Sequence, residues 1–224
     1  MPYKRPRKSY RKRYVPRKRT RYTKRRTVST VKRIIGRLAE KKRNILEQTA
    51  TDVAYPATLT DLSVVPKELA ADDSVDLKRE GDKLSITSLD FVAHILSGGD
   101  ASNIMRLIIF KWKPNNATAP TVADILKDAS ASSLDTIRRY NEDTSSQYKI
   151  VMDRTVTITT NGSNRTVAFK RKLYGKALGS NKLVFDSNDG TTGQGKYYLL
   201  SISDSGAAPH PKLAFIARSE YYDF

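Results

Sequence analysis

The rhythm of hydrophobic and polar positions changes abruptly near residue 44. Beyond it, short runs of Val, Ile, Leu, Thr and aromatic residues alternate with clusters of Gly, Pro, Asn, Asp and Ser, the signature of strands and turns. Eight such runs are predicted, at 48–65 (interrupted by Pro56), 83–96, 104–112, 148–160, 165–174, 182–185, 197–203 and 212–222. In the second run the apolar phase passes through Leu84 and Ile86, then Leu89, Phe91, Ala93 and Ile95. That slip of one residue near Ser88 predicts a bulge. The third run is apolar on both faces through Leu107, Ile108, Ile109 and Phe110, as a central strand should be. In the fifth, Val167, Phe169 and Leu173 share a face with Arg171, while Lys170 and Lys172 point the other way.

Between the third and fourth runs lies a long connection, residues 113–146, with one short helical turn predicted at 122–126. Loops of this length inside compact domains are usually functional; in an assembling protein such a loop would make subunit contacts. Asn161-Gly162 predicts a tight hairpin after the fourth run. Eight short strands with little helix define an all-β chain, a two-sheet sandwich or a barrel; the eight-stranded jelly-roll sandwich is one such arrangement.

Before residue 44 the pattern is different. Pro2, Pro6 and Pro16 oppose helix at the start, and from Val28 the apolar residues Val31, Ile34, Ile35, Leu38 and Ile45 recur at helical spacing. A short amphipathic helix or a frayed linker fits this stretch.

Charge now divides the chain of 224 residues. Residues 1–43 hold 20 of the 41 basic side chains and a single acid, Glu40, for a net +19; the remaining 181 residues are near neutral, with 21 bases and 22 acids. The bases are Lys4, Arg5, Arg7, Lys8, Arg11, Lys12, Arg13, Arg17, Lys18, Arg19, Arg21, Lys24, Arg25, Arg26, Lys32, Arg33, Arg37, Lys41, Lys42 and Arg43. So dense a run repels itself and has little apolar surface to collapse on, so a disordered basic N-terminal arm is expected, followed by a folded domain at 44–224. Tyr10, Tyr14 and Tyr22 sit among the cations. Rings able to stack on unpaired bases, beside cations that hold phosphates, point to single-stranded nucleic acid. The same clusters fit recognition by a nuclear import receptor. A membrane partner is not expected: no apolar face accompanies the charge before residue 28, and no run approaches the ~20 residues a span requires.

Catalytic chemistry finds little to stand on. There is no cysteine and there are two histidines, His94 and His210, neither with identifiable partners for a triad or a metal site. Gly190 to Gly195 lacks the helix of a phosphate cradle and reads as a turn. Asp72, Asp73 and Asp76 read as a solvated acidic loop rather than a calcium site, and Trp112 as a core or interface residue rather than a nucleotide contact. No enzyme, cofactor or metal is expected.

The arm "PYKRPRKSYRKRYVPRKRTRYTKRR", the segment "RLIIFKWKP" before a long loop, "YKIVMDRTVTI", and the closing "YYLLSISDS…PKLAFIARSEYYDF" together resemble the capsid proteins of small circular single-stranded DNA viruses, the circovirus-like group. The resemblance covers the whole chain. It implies a jelly-roll subunit, a T=1 icosahedral shell of sixty copies, an arm that packages the single-stranded DNA genome, and location in the virion and the host nucleus. Two departures stand beside it. The arm mixes Lys with Arg where circovirus arms are usually more arginine-dominated, and the absence of Cys argues against the related geminivirus-like branch, whose coats carry a Cys/His element. Coat proteins of small RNA or satellite viruses share the layout and form the alternative, as does a non-viral nucleic-acid-binding module with a basic tail.

Overall fold

The computed structural model describes residues 41–63, 82–98, 102–114, 119–159, 166–178, 182–185 and 193–223. Among the described residues ten strands run in the order β1 (Lys41–Asp52), β2 (Thr58–Asp61), β3 (Lys83–Leu96), β4 (Asn103–Trp112), β5 (Tyr148–Ile158), β6 (Thr166–Tyr174), β7 (Lys182–Phe185), β8 (Gly193–Gln194), β9 (Tyr197–Ser203) and β10 (Lys212–Asp223). One sheet, A, has the order β1-β10-β3, with β6 beside Ser88–Leu96 of β3, β7 beside Lys83–Ser85, and β8 beyond β7. The other, B, has the order β2-β9-β4-β5. All pairings are antiparallel. Without the short β7–β8 pair, two four-stranded sheets remain, β1-β10-β3-β6 and β2-β9-β4-β5. First and last strands are neighbours and consecutive strands change sheet except at the β4–β5 pair, which is the connectivity of the eight-stranded jelly roll.

The alternation read along the chain explains how the sheets bury their faces. Leu84, Ile86, Leu89, Phe91, Ala93 and Ile95 of β3 all point into the main core between the sheets, joined by Leu213, Phe215, Ala217 and Tyr221 of β10. The slip at Ser88 is real: β10 passes from Glu220 opposite Ser88 to Tyr221 opposite Ile86, leaving Thr87 as the extra residue. Strand β4 is buried on both sides. Met105, Leu107 and Ile109 enter the main core. Ile108, Phe110 and Trp112 enter a second apolar cluster on the outer face of sheet B.

The 119–147 connection covers that second cluster. It contributes Ile125 and Leu126 as buried side chains, with Val122, Ala129 and Tyr140 packed beside them. It is a folded flap, with a helical turn α1 (Val122–Ile125), a 3-10 turn at Ser133–Thr136 and a bridge between Leu126 and Tyr140. The helical turn falls where the sequence places it.

Three expectations need correction. The single run at 48–65 is two strands, β1 and β2, on different sheets, because the chain breaks at Pro56 and crosses over. Strand β1 starts at Lys41, inside the stretch assigned to the arm; residues 41–43 lie in the ladder with β10 opposite Tyr222, Tyr221 and Glu220. Ile45, counted toward a helix, is a strand residue for the same reason. Part of the glycine-rich loop, Gly193–Gln194, pairs with β7 as β8. The hairpin at Asn161-Gly162, the acidic residues 72–76 and residues 1–40 lie outside the described residues.

Candidate nucleic-acid and assembly surfaces

Of the arm residues assigned to nucleic acid, Lys41, Lys42 and Arg43 are described; those from Lys4 to Arg37, with Tyr10, Tyr14 and Tyr22, lie outside the described residues. The three are tied into the fold. Lys41 Nζ donates to Glu220 Oε2 at 2.7 Å, and Arg43 Nε lies 3.7 Å from Glu220 Oε1. Ser88 Oγ also donates to Glu220, at 2.8 Å. The Lys41 bond first, then that of Ser88, holds the Glu220 carboxyl below its ordinary range. Lys42 points the other way, buried, with Nζ 3.9 Å from Asp223. These bases therefore serve the start of β1 as much as any partner.

A second cationic group lies at the side of the sandwich where the edge strands β5 and β6 come together. Arg154 and Arg171 line one groove there with Val151, Met152, Asp153 and Phe169. The Arg154 guanidinium sits 4.3 Å from the Phe169 ring centroid. On the outward side of β6, Lys170 Nζ is 3.3 Å from Asp90 Oδ2, and Lys172 lies 5.3 Å from the ring centre of the exposed Tyr174.

The flap is anchored by a side chain the sequence reading passed over. Arg106 is the charged residue within the apolar stretch of β4, and it points outward under the flap, 8% exposed. Its Nε and Nη2 donate to the two carboxylate oxygens of Asp153 at 3.0 and 2.7 Å, and Nη1 donates to the carbonyls of Arg138 at 2.8 Å and Thr136 at 3.4 Å. The Tyr140 hydroxyl donates to the same carboxylate, and its ring lies 5.4 Å from the guanidinium. Burial alone would raise the Asp153 pKa, but the bonds from Arg106 and Tyr140 outweigh it and lower it. An arginine inside "MRLIIF" was the available signal: a charge in a strand buried on both faces needs a partner.

Beyond this anchor the 3-10 turn is pinned by Asp135. Its carboxylate accepts from the backbone of Ser130 at 3.2 Å and Ser132 at 3.3 Å, and from Arg138. Leu134 and Ile137 are thereby held outward on a rigid turn, 59% and 71% exposed.

At the end of the sandwich where β4, β7 and β9 approach each other, two lysines are buried. Lys196 Nζ lies 2.5 Å from Asp61 Oδ2. Lys111 Nζ donates to the Lys182 carbonyl at 3.2 Å and lies 5.4 Å from the Tyr197 ring centre. Burial, with a smaller contribution from Lys149, pulls the Lys111 pKa down to about 8. His210 Nδ1 is 2.9 Å from Ser205 Oγ, with no acid completing a triad among the described residues. His94 lies on the outer face of sheet A, opposite Ala214 and Ala168. Trp112 is a buried member of the second cluster. Among the described residues no group of acids and histidines is arranged to hold a metal ion, and no helix is long and apolar enough to cross a membrane.

Comparison with known proteins gives the architecture a context. The family model described as satellite tobacco necrosis virus coat protein matches residues 15–221. No curated protein matches. Among solved structures, Desmodium yellow mottle tymovirus is 13% identical with a TM-score of 0.37, covering 83% of this chain and 88% of its own. Turnip yellow mosaic virus is 12% identical with a TM-score of 0.39, covering 83% and 82%. The match at family level thus falls on a satellite-virus coat protein and not on the circovirus-like group that the arm resembles.

Proposed function

We propose, from the premise that this chain belongs to the satellite tobacco necrosis virus coat protein family, that it closes into a small icosahedral shell and packages single-stranded nucleic acid with its basic arm. The observation that carries the packaging role is the charge partition: +19 in the first 43 residues against −1 in the rest. A near-neutral jelly roll lets subunits approach with little net repulsion, while the arm's charge opposes assembly until a polyanion neutralises it. Identical subunits joined by heterologous contacts form a closed body when their rotations fit a point group. The outward Leu134 and Ile137 and the exposed sheet edges supply surfaces for such contacts.

With residues 41–43 held in β1, the charge offered to a polymer is carried by residues 1–40, which hold 17 of the bases and Glu40. Sixty copies would bring about a thousand net positive charges into the lumen, enough to offset a similar number of phosphates. RNA is the reading the family match favours. Single-stranded DNA is the second reading, motivated by the resemblance of the Tyr-interleaved arm to circovirus-like capsids, and nuclear import through that arm belongs with it. The protein has a structural role, with no catalytic step assigned to it.

The test is to purify the full chain with co-expressed nucleic acid, image it, and digest the extracted contents with RNase and DNase separately. Closed particles with nuclease-sensitive contents are expected, and the nuclease that degrades them chooses between the two readings. Particles that remain empty at low salt, or a chain that stays monomeric with and without nucleic acid, would overturn the proposal.

A further inference from the structure

The β5–β6 side of the sandwich carries a group of cations of which Lys170 alone has an ion pair among the described residues. On β1, the other edge of sheet A, the cations are engaged with Glu220 and Asp223. On β6 the situation differs. Lys170 pairs with Asp90, but among the described residues no carboxylate lies within ion-pair distance of Arg154, Arg171 or Lys172. The one acid in their groove, Asp153, is already held by both arms of the Arg106 guanidinium and by Tyr140. Two arginines in the groove and two lysines on the outer face thus flank the β6 edge of a domain whose net charge is close to zero.

Charged edge strands also have a protective use, since lysine on an edge discourages strand-to-strand pairing. That use does not require aromatic residues. Here two rings accompany the cations. Phe169 backs the Arg154 guanidinium, which leaves the edge of that group open to an acceptor. Tyr174 stands 58% exposed beside Lys172. Alternate residues of β6 point to opposite faces, so Lys170, Lys172 and Tyr174 follow one another on the outer face at steps of about 6.7 Å. Arg171 turns into the groove with Arg154. Cations spaced along an edge with an exposed ring among them are the elements of a sequence-tolerant single-strand site, where phosphates meet the charges and a base stacks on the ring. Arginine suits the phosphate positions, because its planar fork can contact two phosphate oxygens.

We propose that this edge, built from Arg154, Lys170, Arg171, Lys172 and Tyr174, is a second contact for the backbone of single-stranded nucleic acid, on the folded domain and separate from the arm. The proposal rests on the packaging reading above. In it the arm gathers the polymer, while the β6 edge holds a short stretch against the shell wall.

The experiment uses the full-length chain and labelled single-stranded oligonucleotides of unrelated sequence across a salt series. The triple variant Arg154→Gln/Arg171→Gln/Lys172→Gln should lower the slope of log affinity against log salt by about 2, at roughly 0.7 for each phosphate left without its cation. The charge-preserving set Arg154→Lys/Arg171→Lys/Lys172→Arg should keep the wild-type slope. Tyr174→Ala should weaken binding by roughly 5- to 100-fold while Tyr174→Phe leaves it unchanged, since stacking needs the ring and not the hydroxyl. Thermal melts run in parallel identify any variant that binds less because it has lost its fold. A wild-type slope in the triple variant, with steep salt dependence intact, overturns the edge site and leaves the arm reading standing. Absence of salt-dependent binding in the wild type overturns both. An unchanged slope with failed assembly would assign the edge to an acidic surface of a second copy and also overturn the proposal.

Discussion

Replacing Arg106 with methionine tests whether one buried ion pair holds the flap to the sheet. The substitution keeps the aliphatic volume in the second apolar cluster but removes four hydrogen bonds, two to Asp153 and one each to the carbonyls of Arg138 and Thr136. Deleting one member of a buried pair typically costs about 3–5 kcal/mol, because the other is left desolvated without its partner. Asp153 is 31% exposed at its side chain and keeps the Tyr140 hydroxyl, so the lower part of that range applies, about 3–4 kcal/mol. For a domain of this size each kcal/mol moves Tm by about 2–4 °C, so a fall of about 6–16 °C is expected. Thermal unfolding of free subunits measures it. Hydrogen exchange should localise it, because the amides of Lys127 and Asn141, bonded to Arg139 and Ile125 across the flap, should lose protection before those of β4. Removing both partners together, Arg106→Met with Asp153→Leu, should recover much of the stability, since an apolar pair leaves no uncompensated charge. A single variant that costs under about 1 kcal/mol, or a double variant no better than the single, would show that apolar packing alone holds the flap.

Two further outcomes follow from other features. Lys111 has a folded-state pKa of about 8, below the unfolded value of 10.5, so between those pH values the unfolded chain binds the extra proton and stability rises with pH. Urea titrations at about pH 7.5, 9 and 10.5 should show a gain of up to about 3 kcal/mol that Lys111→Met abolishes; a stability that only falls over this interval would refute the assignment. Leu134→Asp with Ile137→Asp places charge on the exposed knob of the 3-10 turn; the subunit should stay folded by circular dichroism, while particle formation in light scattering is lost if the knob lies in a subunit contact, and unchanged particles would exclude it.

The sequence made the strands legible wherever one face is apolar and the other polar. β3 and β7 begin and end where the alternation does, and the bulge at Thr87 is visible as a slip in that alternation; β9, buried on both faces, is legible as an apolar run between turn residues. β1 was harder to read, because its outward residues Lys41, Arg43 and Glu47 look like arm and its inward face begins with a lysine, Lys42. Its strand character comes from pairing with β10, a partner far away along the chain, which no local pattern records. In sequence the flap reads as a loop because its apolar residues are sparse; Ile125 and Leu126 gain their meaning only from the outer face of sheet B. The β6 edge was half visible. Alternation puts Lys170 and Lys172 on the side away from Phe169, but Arg154 belongs to another strand, and its approach to Phe169 and Arg171 depends on how the two sheet edges meet.

The entry of the chain into the fold also has a mechanical consequence. If the arm is drawn toward a polymer, tension reaches the domain at Lys41, the first residue of β1 and the end of its ladder with β10. A pull along the strand loads the hydrogen bonds of that ladder in shear, so they resist together; a pull across it opens them one after another from the Lys41 end. Lys41 and Arg43 on Glu220, with Lys42 beside Asp223, lie at that end. They act as a rivet where peeling would begin, so if the arm packages a polymer as proposed, its condensation would tighten the arm without unzipping the edge of the sheet.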